Sequence, residues 1–84
     1  MYNIYLEAEA EKDLRKLPSF LFSSVIAKIK ELSNNPRPGN CRKLKSTENF
    51  WRLRIGDYRV IYEIIDSSKR INIYKIRHRK DVYR

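Results

Sequence analysis

The run "WRLRIGDYRVIYEI", Trp51 to Ile64, leaves this chain little conformational choice. Two segments of alternating apolar and charged residues flank Gly56 and Asp57, the pattern of a hairpin closed by a two-residue primed turn. Such a turn sets the register: Ile55 opposite Tyr58, Arg54 opposite Arg59, Leu53 opposite Val60, Arg52 opposite Ile61 and Trp51 opposite Tyr62. Alternation then sends Trp51, Leu53, Ile55, Tyr58, Val60, Tyr62 and Ile64 to one side and Arg52, Arg54 and Arg59 to the other. One face is core and the other is a basic platform.

The core face needs an apolar cover, and the first half of the chain supplies it. After a short β-type run at Tyr2 to Leu6, "EAEAEKDLRKL" takes helical spacing through Leu6, Ala10, Leu14 and Leu17 until Pro18 stops it. Ser19 is placed to cap a second helix, whose Phe22, Val25, Ile26, Ile29 and Leu32 form one stripe ending at "NNPRPGN". Helices joined this tightly form an antiparallel hairpin. A short strand at "CRKLK" and strands at Phe50–Ile55, Tyr58–Ile65 and Arg70–Ile76 follow. The expected fold is α+β: an N-terminal strand, then an antiparallel helical hairpin packed on one face of a mainly antiparallel sheet of four or five strands. With 84 residues the chain is one domain, residues 1–84.

The net charge of +9 is unevenly placed. Met1 to Ser33 holds five basic and five acidic residues, Asn34 to Phe50 four against one, and Trp51 to Arg84 ten against four, so the whole excess lies in the second half. That favours a polyanionic partner. The single cysteine, Cys41, forms no internal disulfide, and no apolar run approaches the ~18 residues of a membrane span. The N-terminal residues lack the order of a secretion signal, so a cytoplasmic protein with no membrane partner is expected.

Arg54 opposite Arg59 is a like-charge cross-strand pair that weakens the hairpin by up to about 1 kcal/mol. Guanidinium forks suit two-point contact with phosphate oxygens, so anion binding would relieve the repulsion. "YKIRHRKDVYR" adds Lys75, Arg77, Arg79, Lys80 and Arg84 around the only histidine, His78, near Tyr83. Pairing through the loop "DSSK" sets Ile76 beside Arg59 and brings this cluster to the edge of the same platform. Strict alternation from Ile71 and Ile73 would bury Lys75 and Arg77, so a bulge or strand end is expected near Lys75.

One cysteine and one histidine make no zinc site, and the acids of this half are not clustered for two metals, so neither metal nor cofactor is expected. Cations plus a proton-transfer group still permit one reaction, cleavage of RNA by its own 2′-hydroxyl. A base takes that proton, cations stabilise the phosphorane, and an acid protonates the departing 5′ oxygen.

"KLKS", "WRLRIGDYRVIYEI" and "RHRKDVY" together resemble the RelE/ParE toxin superfamily, nearest its RelE branch. The resemblance spans nearly the whole chain. It implies a type II toxin that cuts messenger RNA in the ribosomal decoding site and is silenced by a cognate antitoxin, with which it would form a hetero-oligomer. The extra C-terminal helix of some relatives is expected to be missing. The implied catalytic positions are Arg52, Arg59, Arg77, His78 and Tyr83, with Lys43, Lys45, Arg54, Arg79 and Lys80 contacting RNA. Some members carry lysines where Arg52 and Arg54 stand, and arginine does not release a proton. The base role therefore goes to Tyr83 or His78, phosphorane stabilisation to Arg59 and Arg52, and leaving-group support to Arg77. Two other readings remain, a ParE-like gyrase inhibitor without nuclease activity and a non-catalytic RNA-binding relative.

Overall fold

The computed structural model describes residues 1–82. The elements run β1 (Asn3–Leu6), α1 (Ala8–Arg15), α2 (Ser19–Glu31), β2 (Cys41–Lys43), β3 (Phe50–Ile55), β4 (Tyr58–Ile65), a 3₁₀ turn (Asp66–Ser68) and β5 (Arg70–His78). They build one five-stranded sheet of order β1-β5-β4-β3-β2. The helical hairpin covers one face of it. Only β1, which runs parallel to β5, departs from antiparallel pairing. No helix among the described residues is long and apolar enough to cross a membrane.

The β3–β4 register is the one the turn dictates, from Ile55 opposite Tyr58 through Arg54 opposite Arg59 to Trp51 opposite Tyr62. Gly56 has φ +56°, and Asp57 is not among the positive-φ residues, a combination that fits a type II′ turn with glycine first. Leu53, Val60, Tyr62, Ile64, Ile71, Ile73 and Ile76 from the sheet meet Ala10, Leu14, Val25, Ile29 and Leu32 from the helices in a single core.

Several local expectations change. Leu6 ends β1 and stays 39% exposed instead of starting the α1 stripe. Ser19 makes no side-chain cap; it is the first residue of α2, and Pro18 occupies the capping position, its carbonyl accepting the Leu21 and Phe22 amides. A proline there wastes no donor, because an N-terminal amide has no intrahelical partner. Phe22 is 43% exposed, and Leu21, one turn before Val25, takes the partly buried place.

β5 carries the main correction. Tyr62 pairs with Ile73 but Ile61 pairs with Lys75, so Tyr74 is an extra residue, a bulge just before Lys75. The bulge advances the register by one: Arg77, not Ile76, faces Arg59, and Ile76 faces Val60 in the core. It also frees Lys75 from the core side.

Candidate functional site

The face turned away from the helices, here called the open face, is built from alternate residues of β2, β3 and β4. Arg42 pairs with Arg52, Arg52 with Ile61, and Arg54 with Arg59. Arg42, Arg52, Arg54 and Arg59, with Gly39 and Asn40, line a groove of about 310 Å³. A second hollow, of about 450 Å³, shares Arg42 and Arg52 and continues past Lys43, Leu44, Lys45 and Thr47. Asn40 fastens the rim to β3, its Nδ2 donating to the Arg54 carbonyl at 2.7 Å and its own carbonyl accepting the Arg54 amide at 3.1 Å.

Arg59 is tied to the hairpin turn. Its Nη1 donates to the carbonyls of Gly56 at 2.8 Å and Tyr58 at 2.9 Å, which pins the guanidinium over the turn. Burial, followed by the charges of Arg54, Arg52 and Arg79, pulls its pKa below the usual arginine value, with Asp57 opposing. No acidic side chain among the described residues forms an ion pair with Arg42, Arg54 or Arg59. Four guanidiniums of like charge thus line one concave groove, an arrangement whose chemistry suits two-point contact with an anion.

The C-terminal cluster is split rather than gathered at this groove. Arg79 stays nearby: its amide donates to the Asp57 carbonyl, its Nε lies 4.0 Å from the Asp57 carboxylate, and its charge acts on Arg59. Arg77 faces Arg59 by register, yet its Nε donates to Asp13 at 3.2 Å and its Nη2 bonds Glu9. Burial would lower its pKa, but Glu9 and Asp13 outweigh that and raise it. Its guanidinium is thus turned along the sheet edge toward α1.

His78, expected at the rim of the platform, lies on the other side. It pairs with Tyr58, whose face is the core face, and the two rings meet edge-on with centroids 5.6 Å apart. Asp13, Lys16, Leu17, Asp81 and also Arg77, whose guanidinium is turned toward α1, share its hollow of about 240 Å³. Its Nδ1 accepts the Lys80 amide at 3.2 Å, so the imidazole braces the turn after β5. The bulge causes this: with the register advanced by one, Arg77 takes the open side and His78 the core side. Lys80 is exposed in that turn, and Tyr83 lies outside the described residues.

Two groups escaped the sequence reading. Arg42 was legible, because alternation in "CRK" with Cys41 inward would have turned it outward beside Arg52. The link from Asp13 to Arg77 was not, since no local pattern joins residues 64 positions apart.

A family model described as the ParE toxin of type II toxin-antitoxin system, parDE, matches residues 4–83. A putative toxin RelE1 of Methanocaldococcus jannaschii is 30% identical over 86 residues, covering 99% of this chain and 96% of that protein. Toxin RelE of Mycobacterium tuberculosis is 32% identical over 84 residues, covering 99% and 87%. The solved archaeal RelE-RelB complex from Pyrococcus horikoshii OT3 contains a chain that superposes with a TM-score of 0.84 at 29% identity, covering 96% of this chain and 98% of that one.

Proposed function

We propose that this chain, which belongs to the ParE toxin family of type II toxin-antitoxin systems and to its RelE-like branch, is an endoribonuclease that cuts messenger RNA in the ribosomal decoding site. The observation that carries this reading is the arginine groove: four guanidiniums converge on about 310 Å³ without an acidic ion-pair partner for Arg42, Arg54 or Arg59. A scissile phosphate there would relieve their repulsion, and the relief grows as the phosphate gains charge in the transition state.

RNA brings its own nucleophile, so the protein needs to position and neutralise. The 2′-oxygen attacks phosphorus, its proton passes to the base, the bond to the 5′-oxygen breaks, and that oxygen takes up a proton, leaving a cyclic phosphate. Arg59 and Arg52 hold the equatorial oxygens; Arg42, Arg54, Lys43 and Lys45 hold flanking phosphates. Tyr83 is proposed as the proton-transfer group, because the His78 ring is directed to the helix side. Arg77 supports the leaving group by exchanging exposed Glu9 for a phosphate oxygen while Asp13 keeps its Nε in place. Solved relatives appear as complexes with RelB, and a cognate antitoxin is proposed to silence this chain in the same manner.

The test is to add the protein to programmed ribosomes and map messenger RNA ends. Cuts within the decoding-site codon that vanish with Arg59→Ala and Tyr83→Phe support the reading; wild-type cutting by both variants overturns it. The family match to a ParE model favours one rival, inhibition of gyrase without cleavage. Intact messages together with blocked supercoiling would establish that rival.

A further inference from the structure

The arginines occupy one end of the open face, and the other end has a different chemistry. Phe50 of β3 and Tyr74 of β5 reach toward each other across β4, with ring centroids 5.1 Å apart and planes tilted by 54°. The β5 bulge makes this possible, because the extra residue Tyr74 shares the outward direction of Lys75. The Tyr74 hydroxyl donates to Glu63 Oε1 at 3.3 Å, and Asn72 Nδ2 donates to the same oxygen at 3.0 Å. Burial, then the Glu63 carboxylate, raises the pKa of Tyr74, which keeps its hydroxyl a donor. Both rings remain partly exposed.

Arg59, Ile61 and Glu63 succeed one another on this face of β4, so the aromatic pair stands about 13 Å from Arg59 along the strand. Between them Ile61 is only 7% exposed. The face therefore runs from guanidiniums, past the covered Ile61 and its neighbour Lys75, to an aromatic pair backed by a carboxylate.

We propose that Phe50 and Tyr74 form a base-stacking subsite for single-stranded RNA whose phosphates lie in the arginine groove; this rests on the RNA-binding reading of that groove. A cationic track joined to exposed aromatic rings is the pairing that single-strand binding uses, since every base offers a π-face. Glu63 supplies the polarity: its negative charge repels a phosphate, so this end accepts a base and the backbone stays with the arginines. The plainer role for the rings, a cover over Ile61, predicts no dependence on bases.

The test compares binding of a short single-stranded RNA with binding of the same sugar-phosphate chain carrying abasic residues. For Phe50→Leu combined with Tyr74→Leu, affinity for the base-bearing RNA falls roughly tenfold or more while affinity for the abasic chain matches wild type. Arg54→Gln weakens both. Tyr74→Leu alone, which leaves Phe50 over Ile61, shows a smaller loss and serves if the double variant does not fold. Equal behaviour of wild type and ring variants toward both ligands, or a loss shared equally by both, overturns the subsite while the groove reading stands. Wild-type protein that binds neither ligand overturns both.

Discussion

The carboxylate of Asp13 accepts the backbone N–H of Ile76 at 3.0 Å, although 63 residues separate them. β1 ends at Leu6, where the Glu7 amide makes the last bond to the Ile73 carbonyl, so β5 continues beyond its neighbour with an unpaired edge. α1 fills the gap with a side-chain acceptor, which also holds the Arg77 Nε. Asp13→Ala leaves a buried amide unsatisfied and should cost about 1–3 kcal/mol. Urea denaturation measures this; an unchanged midpoint would mean that water replaces the carboxylate.

Arg54 and Arg59 repel each other across the β3–β4 ladder. Arg54→Gln should therefore raise stability by a few tenths up to about 1 kcal/mol while weakening RNA binding. Added salt should stabilise wild type more than the variant, because screening acts on the repulsion that the substitution removes. Loss of stability in Arg54→Gln would contradict the pairing.

His78 faces Tyr58 on the core side, not the arginine groove. Cleavage by His78→Gln should stay within a few fold of wild type, whereas losing a general base costs about 10²–10⁴-fold. A drop of that size in ribosome-dependent cutting, with the fold intact by circular dichroism, would restore His78 to the chemistry.

Asp66 accepts the Tyr2 hydroxyl and an Arg37 N–H, tying the start of β1 and the α2–β2 loop to the β4–β5 turn. The Arg37 hydrogen bond, then that of Tyr2, holds its pKa below the usual carboxylate value. A depressed folded-state pKa contributes stability that is present above the unfolded value, about 4, and is lost as pH falls through the folded value. The gap in urea midpoint between wild type and Asp66→Asn should therefore narrow as pH drops from neutrality to below about 4. A gap constant across that range would show that the pair is not coupled to folding.

What could be read in the sequence was what neighbours along the chain decide. Gly56 and Asp57 dictated a turn, the turn dictated a register, and period-two alternation then separated Arg52, Arg54 and Arg59 from Leu53, Val60 and Tyr62. The apolar stripe of Val25, Ile29 and Leu32 announced the cover for the other side. Even the β5 irregularity was foreseeable, because a strand cannot bury Lys75 without a partner.

Where the bulge falls was settled in three dimensions. It lies at Tyr74, where that side chain bonds Glu63 and meets Phe50, and this position set Arg77 opposite Arg59 and carried His78 to the far side. Strand alternation has a period of two, so one inserted residue reverses the facing of every residue after it. The hold of Asp13 on Arg77 is likewise tertiary: it exists because β1 is shorter than β5, and the length of one strand beside another is not encoded in either alone. The cationic face was thus written locally, while the choice of C-terminal groups that share it belonged to the packing.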